Sequence, residues 1–193
     1  SDEDLHFLNE NFYFVSPIGE KYEGLDAMQA WCSRQNLPIQ KTMDEYKTTL
    51  SKYNHYKKNL FVKSSVYKDI DKFLKNLKES KIKVAVASNK LENLTKIVIK
   101  KSKLGKYFKV ICGGNTFKHK KPHPGMLNAL IKKMKMRKSD CLFIGDSEHD
   151  YEASLNSKVD FLLKLNGFTR KPKSYFKCKK FLNYKSLLKN ISI

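Results

Sequence analysis

The sequence predicts an α/β protein in which a doubly wound parallel sheet carries helices on both faces. From about residue 65 onward, short apolar runs alternate with segments whose apolar residues have helical spacing. The connections between these segments are short, as expected where each strand is followed by a helix that crosses back over the sheet. A chain of 193 residues is long enough for one such domain with a small insertion.

The predicted elements follow one another in a regular order. Helices are predicted over residues 66–80, 91–101, 124–136, 149–157 and 184–191. Strands are predicted over 82–87, 107–114, 141–146 and 159–165, with an edge strand over 176–182. The first four of these strands are almost continuous apolar runs, which is typical of strands covered on both faces of a parallel sheet.

Residues 1–62 differ in character from the rest of the chain. The stretches DLHFLNENFYF, GLDAMQAWCSRQ and TMDEYKTTLSKYNHYKK look helical, and Pro and Gly residues separate them. This region contains no strongly apolar strand. We therefore expect a small helical cap-like segment over 1–62 and an α/β core over 63–193.

Composition excludes some classes of protein and leaves others open. The net charge of +20 comes mainly from lysine and favours anionic partners. The basic residues form no recognition motif, so nucleic-acid binding is not predicted as the primary function. No apolar run is long enough to span a membrane, and the start of the chain lacks the pattern of a signal peptide. We expect a cytoplasmic protein without a membrane partner and with reduced cysteines; its oligomeric state is left open.

Polar residues follow the predicted strands, at the edge where ligands bind to sheets of this class. Ser88, followed by Asn89, can donate hydrogen bonds to a phosphate oxygen, although a serine there can also cap a turn or a helix. Lys121 can neutralise charge on a carboxylate and a phosphoryl group. In so basic a chain, however, an exposed surface position is the ordinary expectation for any single lysine.

Two acidic residues follow the strand over 141–146. Asp146 ends the strand and Asp150 lies in the first turn of the next helix, a spacing that turns both carboxylates toward one place. Mg²⁺ prefers oxygen ligands of this kind, commonly one or two carboxylates together with water and substrate phosphate. Asp150 can alternatively cap the helix. Asp146 needs a partner of some kind, because a charge at the end of an apolar strand is costly when unpaired.

In this order and on these strand ends, VAVASNK, KKPHPGML and FIGDSEHDYEAS resemble the second, third and fourth motifs of the haloacid dehalogenase (HAD) superfamily. The phosphoglycolate-phosphatase and β-phosphoglucomutase-like branch is the most similar, and the resemblance covers about residues 65–190. It implies a Rossmann-like core in which Ser88 and the backbone of Asn89 bind the phosphoryl group. It further implies that Lys121 stabilises the nucleophile and the phosphoryl charge, that Asp146 binds Mg²⁺, and that Asp150 supports the metal or orients Lys121.

One motif of the family is not recognisable in this sequence. The family's first motif is an apolar strand ending in D-x-D-G-T, whose first aspartate attacks phosphorus. Asp2-Glu3-Asp4 has the D-x-D spacing but neither the strand nor the Gly-Thr. Three explanations stay open: Asp2 or Asp4 is the nucleophile all the same, the first strand lies upstream of Ser1, so that the core over 63–193 lacks it, or the nucleophile has been lost.

The resemblance implies one of two functions. The first is a Mg²⁺-dependent phosphohydrolase that acts on a small phosphorylated metabolite through an aspartyl-phosphate. The alternative is a HAD-fold module without a nucleophile that binds or regulates an anionic partner.

Overall fold

In the computed structural model the described residues are 13–15, 21–23, 33, 44, 48, 51–52, 55–59 and 65–190. The chain divides into two compact units, Ser1–Asn59 and Leu60–Ile193. Most of the predicted cap-like segment, with Asp2 and Asp4, lies outside the described residues.

The first unit contains a short hairpin. Strand β1 (Tyr13–Val15) pairs antiparallel with strand β2 (Lys21–Glu23), and residues 55–59 are helical. The hairpin differs from the helical character predicted for this stretch. The physical reason is local, because β1 consists of two aromatic residues and a β-branched one, and these residue types favour extended backbone.

The second unit alternates strands and helices, and the prediction of an α/β fold with parallel strands is confirmed. Its strands are β3 (Val84–Ala87), β4 (Phe108–Cys112), β5 (Leu142–Gly145), β6 (Asp160–Lys164) and β7 (Lys179–Phe181). Its helices are α1 (Ile70–Glu79), α2 (Glu92–Lys101), α3 (Gly125–Met134), α4 (Glu148–Ser157) and α5 (Tyr184–Asn190).

The parallel strands form two groups. β3 pairs with β4, and β5, β6 and β7 form a three-stranded sheet in that order. Among the described strands, no backbone pairing joins β3 to β5. β7 pairs with β6 alone in this part of the chain, as expected of the predicted edge strand.

Two hydrophobic clusters cover the opposite faces of β6. Leu162 belongs to a cluster built mainly from α1 and α5, which includes Phe73 and Tyr184. Its neighbours on β6, Phe161 and Leu163, belong to the other cluster together with Tyr151 of α4 and Phe176, which lies between β6 and β7. Side chains alternate between the faces of a strand, so β6 is covered on both sides, as the sequence predicted.

The five helices described in the second unit are short: α1 to α4 each have ten residues, and α5 has seven. α1 begins at Ile70 rather than at residue 66, because Asp69 adopts a left-handed backbone conformation with φ of 64° and interrupts the helical pattern there. Among the described helices, none has the length and apolar character needed to cross a membrane.

Candidate active site

Lys121 is buried, although the ordinary expectation for a lysine in this chain is an exposed position. Its side chain is 8% exposed. Its ammonium group, Nζ, donates to the carbonyl oxygen of Ala87 at 2.7 Å and to Oδ1 of Asp150 at 2.6 Å. It also lies 5.3 Å from the ring centre of Phe143, on β5. A buried ammonium needs partners of this kind, and here they come from the end of β3, from β5 and from α4.

Asp150 is held by donors on every side. Oδ2 accepts hydrogen bonds from the hydroxyl of Ser147 at 2.6 Å and from the backbone N–H groups of Ser147 and Asp146 at 3.1 and 3.2 Å. Ser147 and Asp150 form a capping box at the start of α4. Asp150 therefore caps the helix and positions Lys121. The roles predicted for Asp150 in catalysis, to support the metal or to orient Lys121, stay predictions.

A glycine is required where β5 ends. A Cβ atom on Gly145 would lie 2.4 Å from the Cβ of Asp150, closer than side-chain atoms approach. The small residue at the end of the strand lets the first turn of α4 pack directly on it. This close packing brings Asp150 within reach of Lys121 and of the backbone of Asp146.

The side chain of Asn89 holds the backbone of Lys121 in place. Its Nδ2 donates to the carbonyl oxygen of Lys121 at 2.8 Å, and its Oδ1 accepts from the N–H of Lys121 at 3.0 Å. The family resemblance implies a backbone contact between Asn89 and phosphate, and this side-chain role was not predicted. No local signal could reveal it, because the two residues are 32 positions apart in the chain.

Ser88 follows the last residue of β3 and directly precedes Asn89 in the chain. Its backbone N–H donates to the carbonyl oxygen of Cys112 at 3.0 Å, which extends the pairing with β4. Its hydroxyl oxygen accepts from the N–H of Lys90 at 3.1 Å. This contact is the turn-capping role that the sequence offered as the alternative to phosphate binding. A serine hydroxyl that accepts a hydrogen bond keeps its own proton, so Ser88 can still donate to a phosphate oxygen.

Asp146 follows β5 and is partly buried. Burial raises the pKa of its carboxyl above the ordinary value of 3.8, and the nearby negative charge of Asp150 raises it further. The positive charge of Lys121 acts in the opposite direction. A carboxylate in this position gains from a bound cation, which would stabilise its charged form.

The donor set fits Mg²⁺ better than a transition metal. Within the described residues, no group of three or more His, Cys, Asp or Glu side chains could hold a metal ion. Mg²⁺ does not need such a group, because it keeps several waters and commonly takes one or two carboxylates together with substrate phosphate. Asp146 can provide a carboxylate of this kind, whereas Asp150 is already engaged by Lys121 and Ser147.

A second buried lysine lies at the same edge of the sheet. Lys164 ends β6 and is 6% exposed. Its Nζ donates to the carbonyl oxygen of Leu165 and lies 4.5 Å from the ring centre of Tyr67. Burial raises the pKa of the Tyr67 phenol above its ordinary value, and the negative charge of Asp146 raises it further. Lys164 was not predicted as a site residue, because in the sequence it is one more lysine in a basic chain.

Comparison with known proteins identifies relatives of this chain. Residues 19–164 match the family model described as haloacid dehalogenase-like hydrolase. A phosphoglycolate phosphatase from Aquifex aeolicus is 34% identical over 130 residues, which cover 67% of this chain and 60% of that protein. Another, from Colwellia psychrerythraea, is 30% identical over 55% of this chain and 47% of that protein. The chain thus spans about half the length of the curated relatives it matches.

The fold is shared with solved structures. A crystal structure described as a predicted phosphoglycolate phosphatase from Haemophilus somnus superposes with a TM-score of 0.70 at 24% identity. The match covers 84% of this chain and 73% of that one. A HAD-superfamily hydrolase from Geobacter sulfurreducens superposes with a TM-score of 0.55 at 19% identity, over 65% of this chain and 61% of that one. These likenesses support the parallel α/β architecture.

Proposed function

Because the chain belongs to the haloacid dehalogenase-like hydrolase family, we propose that the protein is a Mg²⁺-dependent phosphohydrolase. Its substrate in this proposal is a small phosphorylated metabolite, and the reaction passes through an aspartyl-phosphate. The main support is the buried contact of 2.6 Å between Lys121 and Asp150, next to Asp146 and at the ends of β3 and β5. The relatives named phosphoglycolate phosphatase suggest a small phosphorylated acid as the substrate class.

The described residues have distinct roles in this proposal. Ser88 donates its hydroxyl proton to a phosphoryl oxygen from the end of β3. Lys121 places a positive charge beside the transferring group, and a preorganised charge of this kind lowers the energy of a transition state in which negative charge develops. Asp150 and Asn89 hold the side chain and the backbone of Lys121, so that this charge needs no reorganisation during the reaction.

Asp146 is the residue that we propose binds Mg²⁺. A bound Mg²⁺ would supply charge neutralisation for the phosphoryl oxygens and a fixed orientation of the substrate. The nucleophilic aspartate is proposed to come from outside the described residues. Asp150 is unsuited to attack phosphorus because both of its carboxylate oxygens are engaged, one by Lys121 and the other by Ser147.

The test measures phosphate release from an aryl phosphate, with and without Mg²⁺, together with Mg²⁺ binding by calorimetry. Asp146→Asn is compared with Asp160→Asn. The latter makes the same chemical change at an exposed position at the opposite end of β6. We expect Mg²⁺ binding and any turnover to be lost in Asp146→Asn and retained in Asp160→Asn.

The two readouts separate the proposal from its alternative. Mg²⁺ binding at Asp146 without turnover in a folded sample would place the nucleophile outside this chain or favour a binding module for anionic partners. Turnover that needs no Mg²⁺ and survives Asp146→Asn would contradict the proposed mechanism.

A further inference from the structure

The loop that follows β6 lies directly against Asp146. Its backbone turns at Asn166, which has a left-handed φ of 60°. A Cβ atom on Gly167 would clash with the Cβ of Asp146, so only a glycine allows the loop to approach this closely. The backbone N–H of Phe168 acts on the same residue, because it stabilises the charged form of the Asp146 carboxyl. The loop therefore borders the residue that we propose binds Mg²⁺.

Further hydrogen bonds fix this loop in place. Oε2 of Glu148, in the first turn of α4, accepts from the hydroxyl of Thr169 at 2.9 Å and from the backbone N–H of Arg170 at 3.3 Å. Where the loop leaves β6, the N–H of Leu165 donates to the carbonyl oxygen of Phe181 in β7 at 2.8 Å. A loop held at both ends presents its remaining side chains in fixed positions, which lowers the entropic cost of binding a ligand.

Side chains of the loop alternate between the protein and the solvent. Gly167 and Thr169, which make the contacts just described, are partly buried. Phe168 and Arg170 alternate with them and are exposed. Because the first pair is turned inward by its contacts, the side chains of the second pair are directed outward, next to the carboxyl of Asp146.

The two outward side chains are suited to bind a ligand. Phe168 is 86% exposed, more than any other large hydrophobic residue in the part of the chain that the structure describes. An aromatic ring in water gains free energy when a planar apolar group covers it. No carboxylate of the described residues forms an ion pair with the guanidinium of Arg170. A free guanidinium binds a carboxylate through two parallel hydrogen bonds.

We propose that Phe168 and Arg170 form a subsite for the organic part of the substrate. This subsite selects phosphate esters that combine a planar apolar group, which stacks on Phe168, with a carboxylate that pairs with Arg170. The inference rests on the proposed function, because Asp146 is proposed to hold the attached phosphoryl group through Mg²⁺. It deepens that function, since the relatives' names suggest an acid but not a planar skeleton.

Three phosphonates that cannot be hydrolysed measure the parts of this subsite. Methylphosphonate carries the phosphoryl analogue alone, benzylphosphonate adds a ring, and para-carboxybenzylphosphonate adds the ring and a carboxylate. Their dissociation constants for the whole chain are measured by calorimetry in the presence of Mg²⁺. We expect the ring to strengthen binding about tenfold and the carboxylate to strengthen it about fivefold more, from stacking and from a charge-assisted hydrogen bond.

Substitutions at the two exposed positions assign each gain to its side chain. Phe168→Ala should remove the gain from the ring, whereas Phe168→Tyr should keep it. Arg170→Met should remove the gain from the carboxylate and keep the gain from the ring. Leu155→Ala and Lys132→Met, at exposed positions on α4 and α3, are the controls and should change none of the three affinities. All of these side chains are exposed, so the variants are expected to fold.

Several results would overturn the inference and leave the proposed function intact. One is equal affinity of the wild type for the three phosphonates. Another is an equal loss in Phe168→Ala and Leu155→Ala. A dimer that dissociates in Phe168→Ala, with unchanged phosphonate affinities, would assign the exposed ring to a contact between two copies of the chain.

Failure of the proposed function gives a different pattern. Asp146→Asn would then bind methylphosphonate as tightly as the wild type does, whatever the ring and the carboxylate contribute. Graded affinities that respond to Phe168→Ala and Arg170→Met, in a chain that releases no phosphate, would support the subsite while contradicting the catalytic proposal.

Discussion

β5 and β6 are neighbours in one sheet, yet they are buried to different extents. β6 pairs with β5 on one edge and with β7 on the other, and four of its five residues are buried. Among the described strands β5 has one partner, and none of its four residues is buried. β3 resembles β5, with one described partner and four half-buried residues. An apolar run thus produces a strand, but neighbours on both edges decide whether that strand is buried.

Lys121→Met should have the largest effect, because Lys121 joins the two groups of strands through Ala87 and Asp150. The variant leaves the charge of Asp150 buried without its ammonium partner, which costs about 3–5 kcal/mol in comparable cases. Urea denaturation measures the loss. Lys132→Met, at an exposed position on α3, should change stability by less than about 0.5 kcal/mol.

A second variant checks the origin of this loss. Adding Asp150→Asn to Lys121→Met removes the unpaired charge and should recover part of the stability. A loss below about 1 kcal/mol for Lys121→Met alone would mean that the buried pair does not hold the two groups of strands together.

Truncating one leucine in each strand tests the comparison directly. Leu163 of β6 is 2% exposed, and Leu163→Ala should cost about 2–5 kcal/mol because it opens a space in a packed cluster. Leu142→Ala in β5 should cost less than about 1 kcal/mol, since half of that side chain already contacts solvent. Thermal or urea denaturation of the two variants measures both losses of stability. Equal losses would contradict the difference in packing between the strands.

Asn89→Ala tests the two hydrogen bonds by which the Asn89 side chain holds the backbone of Lys121. The variant removes two hydrogen bonds to the Lys121 backbone and should cost about 1–3 kcal/mol. It should also lower any Mg²⁺-dependent turnover more than it changes Mg²⁺ affinity, because the lysine moves while Asp146 stays in place. Asn59→Ala, at an exposed position in the first unit, is the control and should change none of the three quantities: stability, turnover and Mg²⁺ affinity.

The smallest effect is expected for the pH dependence of stability that the ionisation of Asp146 produces. The pKa of this carboxyl is raised in the folded protein, so the folded state binds the proton more tightly than the unfolded state does. Ionised Asp146 therefore destabilises the metal-free fold above its folded pKa, and the cost disappears as the pH falls through that pKa. Asp146→Asn should raise the melting temperature at neutral pH, with a difference that vanishes on acidification.

Mg²⁺ should reverse the order of these melting temperatures at neutral pH. A cation bound to Asp146 stabilises the wild type by RT ln(1 + [Mg²⁺]/Kd), and the variant lacks this ligand. Asp160→Asn serves as the control in both series. A wild type more stable than Asp146→Asn without Mg²⁺ would contradict the raised pKa.

Most elements of the second unit could be predicted because their signals are local. The apolar runs that became β4, β5 and β6 end within two residues of the predicted boundaries. α1 was predicted four residues too early, since the left-handed backbone of Asp69 leaves no mark on the apolar spacing. The hairpin of β1 and β2 was missed, because its strands are only three residues long and lack a longer alternating pattern.

The sequence by itself determined the order of strands and helices, the parallel α/β class, the placement of Ser88 and Asp146 directly after strands, and the placement of Asp150 in the first turn of a helix. These features depend on residue types and on spacings of a few positions. Only the tertiary structure decided that Lys121 is buried, that Asn89 clamps it from 32 positions away, and that an apolar cavity separates β3 from β5. Such features arise when distant segments pack together, and local sequence does not encode which surfaces meet.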